Sequence, residues 1–154
     1  MSGSGRVRAL AIKLAAWHLE QIRKHGEATY PHECCGLLLG RIVAGEKEVT
    51  ETYAAQNTRE EDAKHNRFLI PPDAVREAEQ YARKHRLEIV GFYHSHPNAP
   101  ARPSQFDLDH AWPFYSYVIV SVREQKSEDL TCWQMRDDRS HFDPEVMVGI
   151  EDSG

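Results

Sequence analysis

The amino-acid sequence predicts a mixed α/β domain, and three observations predict it. Short apolar or alternating runs at Cys35–Gly40, Lys47–Ala55, Glu88–Tyr93, Tyr115–Val122 and Leu130–Arg136 have the pattern and length of strands. Two longer stretches, Leu14 to His25 and Asp73 to His85, place their apolar residues at helical spacing. No internal repeat, low-complexity tract or second-domain boundary breaks the 154 residues, a length that suits one domain with a sizeable core.

Taken in order, residues 1–5 are small and polar and read as a disordered start. Val7–Ile12 alternates weakly, as an opening strand would. Leu14, Trp17, His18, Ile22 and His25 then lie along a helix that ends at Gly26 as its C-cap, with His18 and His25 on the helix surface. Tyr30–Pro31 connects to the buried strand Cys35–Gly40, and Glu33 sits at that strand's mouth. Gly45 marks a hairpin turn over Val43–Glu46. In Lys47–Ala55, the residues Val49, Glu51 and Tyr53 alternate with Glu48, Thr50 and Thr52, which implies one solvated face. Gln56–Asn66 is polar and reads as a loop with His65 exposed, and Arg67–Ile70 as a short strand. Pro71–Pro72 opens the second helix, whose packing face carries Val75, Ala78 and Ala82. Tyr115–Val122 is a strongly apolar strand, Glu124–Asp129 a charged turn and Leu130–Arg136 an alternating strand. The domain therefore spans residues 6–138, and residues 139–154, which lack a clear period, form a weakly structured C-terminal segment, either an added edge or a loose tail.

Composition excludes several classes of function. A formal net charge of -5 gives no general affinity for phosphate backbones, and no local basic patch offsets it. No apolar run reaches membrane-spanning length and no signal-peptide core opens the chain, so neither nucleic acid nor membrane is an expected partner and a cytoplasmic location is expected. The three cysteines, Cys34, Cys35 and Cys132, form neither a disulfide framework nor a metal knuckle and suit a reducing compartment. Cys34 and Cys35 offer a nucleophile in principle, but their setting beside Leu37-Leu38-Leu39 reads as small buried hydrophobes.

The chemistry concentrates in His94-Ser95-His96-Pro97 and, after a Pro-rich loop, Ser104-Gln105-Phe106-Asp107. Side chains two apart on a strand share a face, so His94 and His96 converge while Ser95 points away. Pro97 ends the pairing because it has no N–H to donate. Ser104 is a good N-cap, and Asp107, three residues on, lies in the first helical turn with its carboxylate close enough to curl back towards the histidines. That helix is expected to run through Leu108–Trp112 as far as Pro113. Two imidazoles and a carboxylate make a three-ligand zinc site with a fourth position open, the pattern of a catalytic zinc. Each half also has a plain reading: a His pair two apart is often a satisfied polar pair, and Ser-x-x-Asp is also a capping box without any metal. Asp109 and His110 are rival ligands, but Asp109 sits about 200° round the helix from Asp107, so both acids cannot face the histidines.

The whole pattern, His-x-His-Pro, six residues, Ser-x-x-Asp, with Glu33 upstream, resembles the JAMM (MPN+) metalloprotease motif. The likeness extends through Tyr30-Pro31-His32-Glu33-Cys34-Cys35-Gly36-Leu37-Leu38-Leu39-Gly40, Arg67-Phe68 and Ile89-Val90-Gly91-Phe92-Tyr93-His94, and is that of the compact prokaryotic branch. The resemblance implies a curved mixed β-sheet with one long helix on each side, a cytidine-deaminase-like architecture with the metal at the strand ends. It implies one Zn²⁺ per chain held by His94, His96 and Asp107, with Glu33 and Ser104 as catalytic residues. In this picture Glu33 assists attack by zinc-bound water and then protonates the leaving amine, while Ser104 stabilises the oxyanion, so that capping and catalysis compete for one hydroxyl. The implied substrate is the bond after the C-terminal Gly-Gly of a ubiquitin-like or sulfur-carrier protein, its tail added beside a strand edge. Two other classes stand beside this one: a metal-free MPN-type scaffold or protein-binding module, and a cysteine hydrolase using Cys34 or Cys35. The zincin helix signature is excluded because Gly36 stands where its second His belongs, and the zinc deaminases because no Pro-Cys-x-x-Cys follows His96.

Overall fold

The structure, a computed structural model, describes residues 11–55 and 70–150. The expected disordered start at 1–5, the first four residues of the expected strand Val7–Ile12, the loop at Gln56–Asn66 with His65, and the first three residues of the expected strand Arg67–Ile70 lie outside the described residues. Among the described residues eight strands form one mixed sheet: β1 Ala11–Ala15, β2 Cys35–Val43, β3 Glu46–Ala55, β4 Glu88–Pro97, β5 Ser116–Arg123, β6 Lys126–Met135, β7 Phe142–Pro144 and β8 Val146–Ile150. Their order is β7-β6-β5-β4-β2-β3-β1-β8. The helices among the described residues are α1 Ala16–Thr29, α2 Pro72–Lys84 and α3 Gln105–His110.

One covalent fact shapes this sheet. β7 and β8 are its two ends, yet only Glu145 separates them in the chain. Seven strand spacings would put the ends of a flat sheet roughly 33 Å apart, whereas residues two apart in sequence span at most about 7 Å. The sheet must therefore curl until its edges nearly meet. Inside the curl a polar chain crosses from one wall to the other. The fully buried Lys47 of β3 donates to Ser116 Oγ at 2.9 Å and to the Phe114 carbonyl, and Ser116 Oγ donates to Glu145 Oε1 at 2.6 Å. Glu145 N–H donates to the Cys132 carbonyl at 2.8 Å. A charge buried this deeply is tolerated because it is hydrogen-bonded.

The helices take opposite faces. α1 touches β5 and β6 and also β3, which β4 and β2 separate from them in the sheet order, and so it lies on the concave side. There Ile22 joins Ile12, Leu14, Leu38, Val90, Val118, Val120 and Val122 in the main core. α2 lies on the other face, where Ala78 and Ala82 pack with Leu37 and Leu39. Pro72 opens α2, Asp73 sits in its first turn, and Arg83 and Lys84 in its last, each matched to the local end of the helix dipole.

Several details depart from the sequence reading. Leu14 belongs to β1, and α1 runs past Gly26 to Thr29. Gly26 is an interior packing position, because a Cβ there would sit 3.1 Å from Val122 Cγ2 and 3.4 Å from Ser95 Cβ. His18 is buried, not on the surface: its Nδ1 accepts from Ala15 N–H at 3.0 Å, which leaves Nε2–H to donate to the Thr50 carbonyl at 2.9 Å. The β5–β6 turn is only Glu124 and Gln125, both at positive φ, so the charged residues beyond it belong to a strand with a solvated face. The turn of the β2–β3 hairpin is Ala44 and Gly45, also both at positive φ, the requirement of a tight two-residue hairpin. Residues 142–150 join the sheet as its two edges, so the edge form of the C-terminal segment is the one adopted as far as residue 150. Among the described residues no helix is long and apolar enough to cross a membrane.

Gly36 on β2 lies under the ring of Tyr93, whose hydroxyl meets His25 Nδ1 at 2.7 Å, and a Cβ on Gly36 would overlap that ring. Gly36→Ala is expected to cost about 2–3 kcal/mol through overpacking, read as a lower urea midpoint. A midpoint equal to wild type would contradict this packing.

Candidate metal centre

β4 lies between β2, antiparallel, and β5, parallel, and keeps its pairing through Pro97. Strand alternation turns Phe92, His94 and His96 to one face and Tyr93 and Ser95 to the other, as the spacing predicts. Ser95 Oγ accepts from Cys34 N–H at 2.8 Å, and Ser95 N–H donates to the Cys34 carbonyl at 3.2 Å. Those two bonds fix Cys34, just before β2, and with it Glu33, one residue earlier. The chain reverses at Asn98, at a φ of 56°, where its N–H donates to the Val122 carbonyl at 2.7 Å and its side-chain carbonyl accepts from Tyr30 OH at 2.9 Å. The loop that follows is held from β6: Trp133 Nε1–H donates to Thr131 Oγ1 at 2.8 Å, which donates to the Ala101 carbonyl at 2.6 Å.

α3 starts at Ser104 with a reciprocal box. Ser104 Oγ accepts from Asp107 N–H at 3.1 Å, and Asp107 Oδ2 accepts from Ser104 N–H at 2.8 Å. The box holds the Asp107 carboxylate back towards β4. His94 Nε2 and His96 Nε2 lie 3.1 Å apart, and each is 3.4 Å from Asp107 Oδ2. Donors about 2.0–2.1 Å from an ion at tetrahedral corners lie about 3.3–3.4 Å from one another. The triangle therefore has the dimensions of one face of a tetrahedral zinc site. Among the described residues this is the one group of three His, Cys, Asp or Glu donors close enough to share an ion.

The protonation states suit that use. His96 Nδ1 lies 2.9 Å from the Pro100 carbonyl, which can only accept, so Nδ1 carries the proton and Nε2 keeps its lone pair. Burial pushes the His94 imidazolium below its ordinary pKa despite Asp107. Burial pulls His96 down too, but the Asp107 carboxylate, the Pro100 carbonyl and the charge of Glu33 outweigh it and hold His96 above the ordinary value. Burial works to raise the Asp107 carboxyl, and the two imidazoles and Ser104 N–H overcome it, holding the group well below the usual carboxylate range. The same negative field that favours a proton on His96 favours a divalent cation.

Glu33, half-buried, and Ser104 line a cleft of about 130 Å³ together with His96 and Asp107. Ser104 uses its hydroxyl oxygen as the acceptor of the box, which leaves its O–H proton for donation into the cleft. Capping as seen here uses the lone pair and not the proton of that hydroxyl. The rival ligands lie elsewhere: Asp109 is exposed and accepts from Gln105 Nε2 at 2.9 Å, and His110 Nδ1 donates to the Phe106 carbonyl at 2.8 Å. The helix stops at His110, short of the expected Trp112, where Ala111 takes an extended conformation and is buried against Tyr117 and Met135. Cys34, just before β2, and Cys35, its first residue, are buried in opposite clusters of the core, and burial raises their thiols to about 12 and about 11. Neither is a thiolate at neutral pH. Sequence reasoning missed the Pro100 carbonyl, because a main-chain acceptor leaves no side-chain pattern, and the Thr131–Trp133 support, because it reaches Ala101 across 30 residues.

The chain is similar to several known proteins. The family described as prokaryotic homologs of the JAB domain matches residues 15–136. The chain is 32% identical over 89 residues to tail tip assembly protein K of Escherichia phage N15, covering 58% of this chain but only 32% of that protein. It is 31% identical to a desampylase of Haloferax volcanii, over 67% of this chain and 72% of the relative. It is 30% identical to a probable TtuB-protein conjugate cleaving protease of Thermus thermophilus, over 77% of this chain and 75% of the relative. A solution structure of a Salinibacter ruber protein superposes with a TM-score of 0.73 at 40% identity over 93% of both chains.

The burial of the thiols generates a test. Iodoacetamide at neutral pH should leave Cys34, Cys35 and Cys132 unmodified in the folded protein and alkylate all three in denaturant, as read by intact mass. Fast modification of Cys34 or Cys35 in the folded state would return a cysteine nucleophile to consideration.

Proposed function

The chain belongs to the family of prokaryotic homologs of the JAB domain, and from that membership we propose that it is a zinc-dependent peptidase or isopeptidase. Its proposed substrate is the bond after the C-terminal Gly-Gly of a ubiquitin-like or sulfur-carrier protein. The observation that carries this reading is the triangle of His94 Nε2, His96 Nε2 and Asp107 Oδ2, with Glu33 and Ser104 on the wall of the same cleft. The names of two relatives, a desampylase and a protease that cleaves TtuB conjugates, support the substrate class.

His94, His96 and Asp107 would hold one zinc ion per chain through two neutral nitrogens and one anionic oxygen. When bound, zinc supplies a Lewis acid that polarises the scissile carbonyl and lowers the pKa of water towards about 7. Glu33 takes a proton from the water as its oxygen attacks the carbonyl carbon, and hands that proton to the amine as the C–N bond breaks. Ser104 donates its O–H to the oxygen on which negative charge grows, an interaction typically worth about 3 kcal/mol. The cleft, about 130 Å³, is well below the roughly 300–1,000 Å³ of small-molecule pockets. A chain terminus without side chains suits such a space. The rival scaffold reading is disfavoured because its relatives lose ligands and this chain keeps all three.

The test is incubation with a sulfur-carrier protein extended past Gly-Gly, read by intact mass. Cleavage that stops in a zinc chelator and returns with Zn²⁺ supports the reading, and a substrate untouched by the zinc-loaded protein contradicts it. Glu33→Gln should keep zinc and lose about 10²-fold or more in turnover, whereas His96→Ala and Asp107→Ala should lose the metal. An unchanged rate in Glu33→Gln would remove that residue from the mechanism.

A further inference from the structure

α3 has six residues, and isolated helices shorter than about 12 are marginal in water. Its N-terminal end is closed by the Ser104–Asp107 box, but the box uses the carboxylate oxygen that also faces His94 and His96. A frayed helix would therefore swing that oxygen away from the histidines. The opposite end is held from outside. Arg139, in the turn between β6 and β7, donates from Nη1 to the Ala111 carbonyl and from Nη2 to the Asp109 carbonyl, the second at 3.2 Å. The guanidinium fork satisfies carbonyls at a helix C-terminus, where the chain leaves acceptors unpaired and the dipole favours a cation. Arg139 is itself placed by the turn, at a φ of 62°, with its N–H bonded to the Arg136 carbonyl at 2.9 Å. Phe142, at the start of β7, packs into the same cluster as Phe106 and Leu108 of α3. Both residues lie beyond residues 15–136, the stretch of this chain that matches the family.

We propose that Arg139 is a positioning residue for the metal centre, and that its clamp on the Asp109 and Ala111 carbonyls keeps α3 wound and Asp107 in the donor triangle. The proposal rests on the reading of His94, His96 and Asp107 as ligands. Arg139 touches none of them and acts through the helix backbone alone. The turn that carries it thus joins the last strands of the sheet to the site.

The experiment compares full-length wild type, Arg139→Ala and Arg139→Lys in two ways. In metal-free protein, amide exchange is measured at Leu108 and Ala111, whose N–H groups bond the Ser104 and Asp107 carbonyls at 3.0 and 2.9 Å. It should quicken in Arg139→Ala while the exchange of β4 and β5 stays as in wild type. In zinc titrations the dissociation constant should rise about tenfold in Arg139→Ala, the low end of the loss found when a direct partner of a metal ligand is removed, because Arg139 acts one step further out. Arg139→Lys, which keeps the charge and can reach one carbonyl, should recover part of both effects. Wild-type exchange at α3, or wild-type zinc affinity in Arg139→Ala, overturns the proposal. So does a loss of affinity accompanied by faster exchange throughout the sheet and no recovery in Arg139→Lys. A wild-type chain that takes up no zinc refutes the proposed function instead, and the exchange at α3 still decides the clamp.

Discussion

The reciprocal pair of hydrogen bonds between Ser104 and Asp107 is the constraint on which the site depends. A buried carboxylate is costly unless its lone pairs are satisfied, and here one oxygen serves the Ser104 N–H and faces two imidazoles. The box thereby turns an ordinary helix start into a fixed arm that reaches back to the preceding strand. Without it Asp107 would be one of many acids in a first helical turn, favourable to the dipole and useless as a third donor.

The histidines are fixed by the sheet. β4 is a central strand with partners on both sides, so His94 and His96 ride on a ladder that cannot shift register without moving the whole core. The curl of the sheet brings β6 round to support the Pro-rich loop through Thr131 and Trp133, and that loop presents the carbonyl that sets the tautomer of His96. The bonds between Ser95 and Cys34 place the mouth of β2, with Glu33, beside the same cleft. Strand pairing, loop and helix cap thus deliver five side chains from three separate segments.

Much of this was legible in the sequence because it rests on local rules. Alternation on a strand put His94 and His96 on one face, capping chemistry placed Asp107 three residues after Ser104, and helix geometry excluded Asp109. The apolar runs marked the central strands, and the Ala78–Ala82 face marked the second helix. What escaped was non-local. Gly26 reads as a helix end by local rules, but the helix continues because a missing Cβ lets α1 approach Val122 and Ser95. His18 reads as a surface group and no local pattern marks Lys47 for burial, and only the strand beneath α1 and the closed sheet provide the partners that bury them. Short edge strands such as β7 and β8 have little pattern of their own and are set by their neighbours.

The central claim is that two imidazole nitrogens and one carboxylate oxygen form a tetrahedral face for a single divalent ion. X-ray absorption on the zinc-loaded protein measures it directly. The account predicts a four-coordinate shell of nitrogen and oxygen at about 2.0–2.1 Å with an imidazole signature and no sulfur. A sulfur shell at about 2.3 Å, or a six-coordinate shell of oxygen alone, would place the metal elsewhere and contradict it.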